Sequence, residues 1–102
     1  MRELELRERG QHVEADPDDR IVVRIPENAT TGYRWVVDEL PDSVELLEDE
    51  FIPPGSVHPG AEGERRVVLR AKGPGSGTVA LRLERPWEHE AVDRFEALVT
   101  VR

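Results

Sequence analysis

The 102-residue sequence contains no cysteine. Disulfide bonds, thiolate nucleophiles and zinc–thiolate sites are therefore excluded. The sequence also lacks an apolar run long enough to cross a bilayer, and its first residues alternate glutamate with leucine where a secretory signal has an apolar core. As written, the chain is expected to be cytoplasmic. An exported protein whose leader has been removed is the alternative.

Basic side chains are in the minority, because the sequence has 14 Lys and Arg residues against 22 Asp and Glu residues, which gives a net charge of -8. A surface of this sign repels nucleic acid and anionic membranes, so neither is expected as a partner. Charged residues (35%) and hydrophobic residues (37%) are balanced as in soluble globular proteins. The length predicts a single domain, residues 1–102, that is large enough to bury a core.

Helical periodicity is absent as well, whereas apolar and polar residues alternate with a period of two along most of the chain. Short strands at a spacing of about 8–12 residues, with no helix between them, predict an all-β fold, an antiparallel sandwich of about seven or eight strands. Pro26 is expected to end one strand and Trp35 to be buried. The predicted strands are residues 4–6, 20–25, 33–38, 44–51, 66–71, 79–84 and 95–101, with a candidate edge strand at 12–14.

The connections between these strands differ in composition, and strand direction decides where each one lies. In an antiparallel chain every second connection is at the same end, which places residues 28–32, 52–63 and 86–92 together. The connections at the other end are residues 16–19, 40–43 and 73–77, which have the composition of ordinary solvated turns.

The grouped connections carry residues suited to an interface. Thr30 and Thr31 are stiff at χ1, and the following Gly32 can adopt a positive φ. Trp87, which follows Arg85 and a strand-ending proline, belongs with arginine to the side chains most enriched at energetic anchors of interfaces. Read singly, these features are also consistent with plain turns and with a tryptophan that caps the core.

The three connections, in this order and spacing, resemble the chagasin-like inhibitors of papain-family cysteine peptidases. That family carries an Asn-Pro-Thr-Thr-Gly-aromatic-x-Trp loop, a Gly-x-Gly-Gly loop and an Arg-Pro-Trp loop, which correspond here to residues 28–35, 60–63 and 85–87. The resemblance implies an immunoglobulin-like sandwich, no enzymatic activity and a papain-like cysteine peptidase as partner, and a monomer is expected. The protease contact it implies comprises Asn28, Thr30, Thr31, Gly32, Gly60, Ala61, Gly63, Arg85, Pro86 and Trp87, with Tyr33 and Trp35 as supports.

Two positions depart from the family pattern. Ala29 stands where the family has proline, so the first loop loses a fixed φ, a change that costs about 0.4–1 kcal/mol through the entropy of the unfolded chain. Weaker binding is the expected result. Glu62 replaces a glycine of the second loop, and Glu64 follows closely. Acidic side chains at this place indicate either weaker contacts by the second loop or a target with a basic rim.

Other functions find less support in the sequence. His12, His58 and His89 lie on separate segments without metal-ligand spacing, and Ser56 lacks the Gly-x-Ser-x-Gly setting of a nucleophile. No catalytic residue, metal or cofactor is therefore expected. The remaining alternative is a non-inhibitory immunoglobulin-like binding module that uses the same loop end for a protein or glycan partner.

Overall fold

The computed structural model describes residues 1–55, 62–88 and 90–102. Between residues 27 and 34 the chain forms a three-residue 3-10 helix, Ala29–Thr31. No helix in the described part of the chain has the length and apolar character that a bilayer span requires. The strands are β1 (Glu3–Leu6), β2 (His12–Ala15), β3 (Arg20–Glu27), β4 (Arg34–Glu39), β5 (Val44–Ile52), β6 (Gly63–Ala71), β7 (Gly75–Glu84) and β8 (Asp93–Val101).

The strands form two four-stranded sheets, with the orders β1-β3-β6-β5 and β2-β8-β7-β4, which confirms the predicted sandwich. Within the described residues, the six long strands β3 to β8 pair with one another in antiparallel fashion. The two short N-terminal strands differ from the prediction, because β1 pairs parallel with β3 and β2 pairs parallel with β8. Parallel pairing needs a long connection between the partners, and the chain reaches β3 from β1 only after passing through β2 in the other sheet.

The core lies between the two sheets and is built from alternate residues of the long strands. Trp35 is 7% exposed, which confirms its predicted burial. The predicted inward rows of β6, β7 and β8 are also buried, apart from the half-buried Leu83 at the loop end of β7. Ile21, Val23, Ile25, Val67, Leu69, Val79, Leu81, Phe95, Ala97 and Val99 form the centre of this core.

Several predicted strand boundaries are wrong, and β6 and β8 begin earlier than predicted, at Gly63 and Asp93. Strand β3 continues through Pro26 to Glu27. Proline is tolerated there because β1 has already ended opposite Val23, so that Pro26 has a neighbouring strand, β6, on one side only and no second strand needs its missing N–H. Strand β7 begins at Gly75, inside the stretch predicted as a connection. The glycines of this stretch make room for a crossing segment, since a Cβ on Gly77 would lie 2.6 Å from Cβ of Pro41.

The prediction of a solvated turn at residues 16–19 is wrong for Asp19, which is 2% exposed. Its carboxylate accepts hydrogen bonds from the backbone amides of Asp16 and Arg2, each at 2.8 Å, and from the Arg2 guanidinium at 3.0 Å. The amide of Asp16, followed by that of Arg2, lowers the pKa of Asp19 below its usual range. This carboxylate therefore holds the first residues of the chain against the start of β3.

Candidate functional site

The strand ends that flank the three connections with unusual composition lie at one end of the sandwich, as the alternation of strand direction predicts. Glu27, the last residue of β3, is opposite Gly63, the first residue of β6, so the first and second loops begin and end side by side. Arg34, the first residue of β4, is opposite Glu84, the last residue of β7. The third loop therefore leaves the sheet next to the place where the first loop enters it.

A fourth connection shares this end and was not predicted there. Residues 7–11, between β1 and β2, lie at the loop end because β1 runs parallel to β3. Nη2 of Arg9 is 2.6 Å from a carboxylate oxygen of Asp93, which begins β8 after the third loop. This hydrogen bond is the main cause that lowers the pKa of Asp93. Only the parallel pairing of β1, which period-two alternation does not reveal, would have placed this turn here.

The first loop is held in shape by its own polar groups. Oδ1 of Asn28 accepts hydrogen bonds from the amide (3.0 Å) and the hydroxyl (2.7 Å) of Thr30, as an N-cap residue does. The hydroxyl of Thr31 donates to the carbonyl of Asn28 at 2.9 Å and accepts from the amide of Tyr33 at 3.2 Å. Ala29, Thr30 and Thr31 are exposed. The tip is thus a short, internally bonded helical turn that projects into solvent.

Gly32 ends this turn in the left-handed region, with φ at +79°. A Cβ at this position would lie 3.1 Å from Cη2 of Trp87, which is closer than ordinary van der Waals contact. Glycine is needed here for two reasons, the positive φ and the approach of the indole ring. Gly32 is therefore where the first and third loops touch.

The third loop presents its tryptophan to solvent. The side chain of Trp87 is 67% exposed, so the alternative that it caps the core is wrong. The guanidinium of Arg85 lies over the ring of Tyr33 at 4.2 Å from its centroid and at 5.8 Å from that of Trp87. Cation–π contacts of this kind fix the relative position of charged and aromatic side chains. Tyr33 therefore supports the third loop as well as the first.

The second loop is described only at its two ends, because Gly60 and Ala61 lie outside the described residues, as do His58, His89 and Ser56. Gly63 is half-buried, and a Cβ there would lie 2.5 Å from the carbonyl oxygen of Ile52 and from Cζ of Phe51. Gly63 thus allows the base of the loop to close. Glu62 is exposed, whereas Nη1 of Arg24 donates to the Glu64 carboxylate at 2.9 Å.

Two residues of this end were missed by the sequence analysis. The carboxylate of Glu27 is bound by the guanidinium of Arg65 and by the backbone amide of Trp35. The indole Nε1 of Trp35 also donates to the carbonyl of Pro26 at 3.0 Å. The sequence signal that could have found them is their place in the period-two alternation. Glu27 and Arg65 occupy inward-facing positions of β3 and β6, where an apolar residue is expected.

No group of three or more histidine, aspartate or glutamate side chains that could hold a metal ion occurs within residues 1–55, 62–88 and 90–102. His12 lies on β2, where its Nε2 is 3.0 Å from the hydroxyl of Thr100. What the loop end offers instead is a preformed, projecting surface that can bind a partner.

Comparisons with known proteins identify the family of this chain. Residues 14–101 match the family described as Chagasin family peptidase inhibitor I42. Amoebiasin-1 of Entamoeba histolytica is 37% identical over 70 residues and chagasin of Trypanosoma cruzi is 32% identical over 72 residues. Each of these matches covers 66% of this chain and 66% of the relative, which is just under two thirds of its length.

Solved structures extend the likeness to nearly the whole chain. The cysteine protease inhibitor EhICP2 from Entamoeba histolytica superposes with a TM-score of 0.83 at 25% identity, covering 99% of this chain and 96% of that one. PbICP-C, solved in complex with falcipain-2, superposes with a TM-score of 0.74 over 100% of both chains, and its 16% identity shows the fold alone. With the family match spanning β2 to β8 and the fold shared end to end, the chain belongs to the chagasin family of peptidase inhibitors.

Proposed function

We propose that this protein is a reversible inhibitor of papain-like cysteine peptidases that blocks the active-site cleft with the three loops at one end of its sandwich. The chain is an inhibitor rather than an enzyme. The observation that carries the proposal is the contact between Gly32 and the exposed ring of Trp87, because it joins the first and third loops into one surface. The remaining steps follow from the shape and the chemistry of that surface.

The first loop enters the cleft closest to the catalytic cysteine and histidine of the peptidase. Its tip, the helical turn Ala29–Thr31, is compact and carries no charged side chain. A substrate must lie extended across the catalytic residues to be cleaved, and a closed helical turn does not present a peptide bond in that way. The turn therefore occupies the cleft without being cut, and inhibition is reversible.

The other two loops contact the walls of the cleft. Trp87 packs against an apolar or aromatic surface of one wall, with Arg85 and Pro86 beside it. Residues 60–63 contact the opposite wall, where the exposed Glu62 favours a peptidase with a basic rim. Glu64 takes no part in this contact, since its carboxylate is bound to Arg24 on the outer face of the sheet.

Preformed loops explain how a small surface can bind tightly. The affinity of protease–inhibitor complexes depends on the ordering cost of the contact residues more than on the buried area. Here the hydrogen bonds of Asn28 and Thr31 and the stacking of Arg85 on Tyr33 order these residues before binding. Little conformational entropy remains to be lost on association.

The test is a titration of papain with the purified protein. The Trp87→Ala variant should raise the inhibition constant about 30-fold, the loss expected for a central aromatic anchor. Thr31→Arg should abolish inhibition, because a long charged side chain cannot enter beside the catalytic residues. Leu98→Ala is the matched control, since Leu98 is a 40% exposed apolar residue on β8, away from the loops. If the wild-type chain inhibits no papain-like peptidase at micromolar concentration, the non-inhibitory binding module is the better explanation.

A further inference from the structure

The loop end of the sandwich contains a charged pair where the core pattern calls for apolar residues. On β3 the inward row of Ile21, Val23 and Ile25 continues to Glu27, and Arg65 precedes the inward row of β6. The side chains of Glu27 and Arg65 are only 3% and 14% exposed. They are therefore part of the interior, directly under the first loop and at the beginning of β6, where the second loop ends.

The pair makes a closed set of hydrogen bonds. Nε of Arg65 donates to Oε1 of Glu27 at 3.1 Å, and Nη2 donates to Oε2 at 2.9 Å, which is the bidentate arrangement of a strong ion pair. Nη1 of Arg65 donates to Asp49 on β5 at 3.3 Å. Arg65 thus joins β5 and β6, the two strands that the second loop connects.

The same carboxylate also crosses to the other sheet. Oε1 of Glu27 accepts the backbone N–H of Trp35 at 2.5 Å. Trp35 lies on β4, which is at the edge of its sheet and has a strand on one side only. Glu27 is the last residue of β3 before the first loop, and Trp35 lies just after that loop. The carboxylate of Glu27 therefore connects the two ends of the first loop.

Stability alone gives no reason for this pair. Removing two charges from water costs about as much as their attraction returns, so a buried ion pair is weak grounds for expecting net stability. What the pair does provide is a defined geometry, because bidentate bonds tolerate little displacement. Its bonds connect the beginnings and ends of two of the loops assigned to the peptidase.

We propose that Glu27 and Arg65 are positioning residues for inhibition, which set the first loop against the second, an inference that rests on the proposed function. They do not touch the peptidase. If the pair is broken, the first loop samples several positions relative to β6 and only a fraction of the molecules fits the cleft. The apparent inhibition constant rises in inverse proportion to that fraction.

The experiment measures inhibition of papain by Glu27→Gln and Glu27→Ala at a temperature at which circular dichroism shows all variants folded. Glutamine keeps an acceptor for the Trp35 amide but loses the charge, and we expect about a tenfold rise in the inhibition constant, as when the competent fraction falls to about a tenth. Alanine removes both interactions and should have the larger effect. The loss should appear mainly in the association rate, because the complex, once formed, contains the correct geometry.

The matched control is Val99→Ala, a fully buried residue near the far end of β8. This variant loses stability through a cavity but leaves the loops alone, so its inhibition constant should stay within about twofold of the wild type, as for a distant independent site. Equal inhibition constants for Glu27→Ala and Val99→Ala would overturn the proposal.

A second measurement separates this inference from the proposed function. Amide hydrogen exchange of Gly63 and Arg65, which begin β6 opposite the end of β3, should be faster in Glu27→Gln than in Val99→Ala, whether or not papain is inhibited. Exchange that is the same in both variants would overturn the positioning role. A wild-type chain that does not inhibit would overturn the proposed function, and the exchange comparison would still show whether the pair fixes the beginning of β6 against the end of β3.

Discussion

Replacing Gly32 by alanine introduces a single methyl group at the contact between the first and third loops. The backbone there has φ at +79°, and the new Cβ would lie 3.1 Å from Cη2 of Trp87. Two costs follow. One is the strain of an alanine in the left-handed region, and the other is the displacement of the indole ring.

The two costs act on different measurements. Left-handed strain is about 1–2 kcal/mol for a residue with a Cβ, which lowers the free energy of unfolding but leaves a domain of typical stability, about 5–15 kcal/mol, folded. Moving the ring by a few tenths of an ångström costs little stability, because Trp87 is 67% exposed and only a small part of its surface packs against the fold. The contact proposed between the ring and the peptidase is lost, however, so the inhibition constant should rise by up to about 30-fold.

Gly10 provides a matched control because it has nearly the same conformation, with φ at +76°, and nothing lies within 4 Å of its Cβ position. Residues 7–11 share the loop end but are not among the three loops assigned to the peptidase. Gly10→Ala should therefore lower the free energy of unfolding by a similar amount and leave the inhibition constant of papain unchanged. Urea unfolding and papain titration of both variants separate strain from displacement.

A double-mutant cycle with Trp87→Ala completes the test. If Gly32→Ala acts through the ring, its effect on inhibition should shrink in the Trp87→Ala background, while its effect on unfolding remains. Inhibition by Gly32→Ala equal to that of the wild type, or a full effect in the absence of the ring, would refute the reasoning that this contact forms the binding surface.

Two further predictions concern the first loop and the far end of the sandwich. Ala29→Pro should raise the free energy of unfolding by about 0.4–1 kcal/mol and tighten inhibition of papain. Asn28 already has the extended φ and ψ of −100° and 104° that a following proline requires, and Ala29 is the first residue of the turn, where proline is tolerated. Weaker inhibition by this variant would contradict the prediction. Asp19→Asn should lower the melting temperature at neutral pH and lose this effect on acidification. The folded-state pKa of Asp19 is lowered, so its carboxylate stabilises the fold above the unfolded-state pKa of about 3.9 and ceases to do so as the pH falls through the folded-state value. A deficit in melting temperature that is the same from pH 7 to pH 2 would contradict this assignment.

The sequence predicts much of the architecture because period-two alternation is a direct record of which side chains face the core. The buried rows of β6 and β8 and the buried Trp35 follow from it. The parallel pairing of β1 and β2 does not, since alternation is the same for parallel and antiparallel strands. The turn between them, which Arg9 ties to Asp93, was missed for this reason.

The candidate site is predictable where its residues have turn or interface chemistry of their own. Thr31, Gly32 and Trp87 were predicted in this way, and the structure places them in the first and third loops, with Gly32 next to the ring of Trp87. Glu27 and Arg65 were not, because a charged residue in a strand is expected on the solvent side, and only the extension of β3 beyond Pro26 places Glu27 on the inward row. Local patterns do not contain the pairing register that brings such residues together.

The directions of β1 and β8 have a practical consequence. Strand β1 begins, and β8 ends, at the end of the sandwich opposite the loops, where Arg2 is bound to Asp19 and Arg102 to Glu14. A fluorophore, an affinity tag or a solid support attached beyond either strand is therefore separated from Trp87 by the length of the sheets. The domain can be immobilised or fused through either side with its loop tips pointing into solution, which makes it suited to capture and display formats.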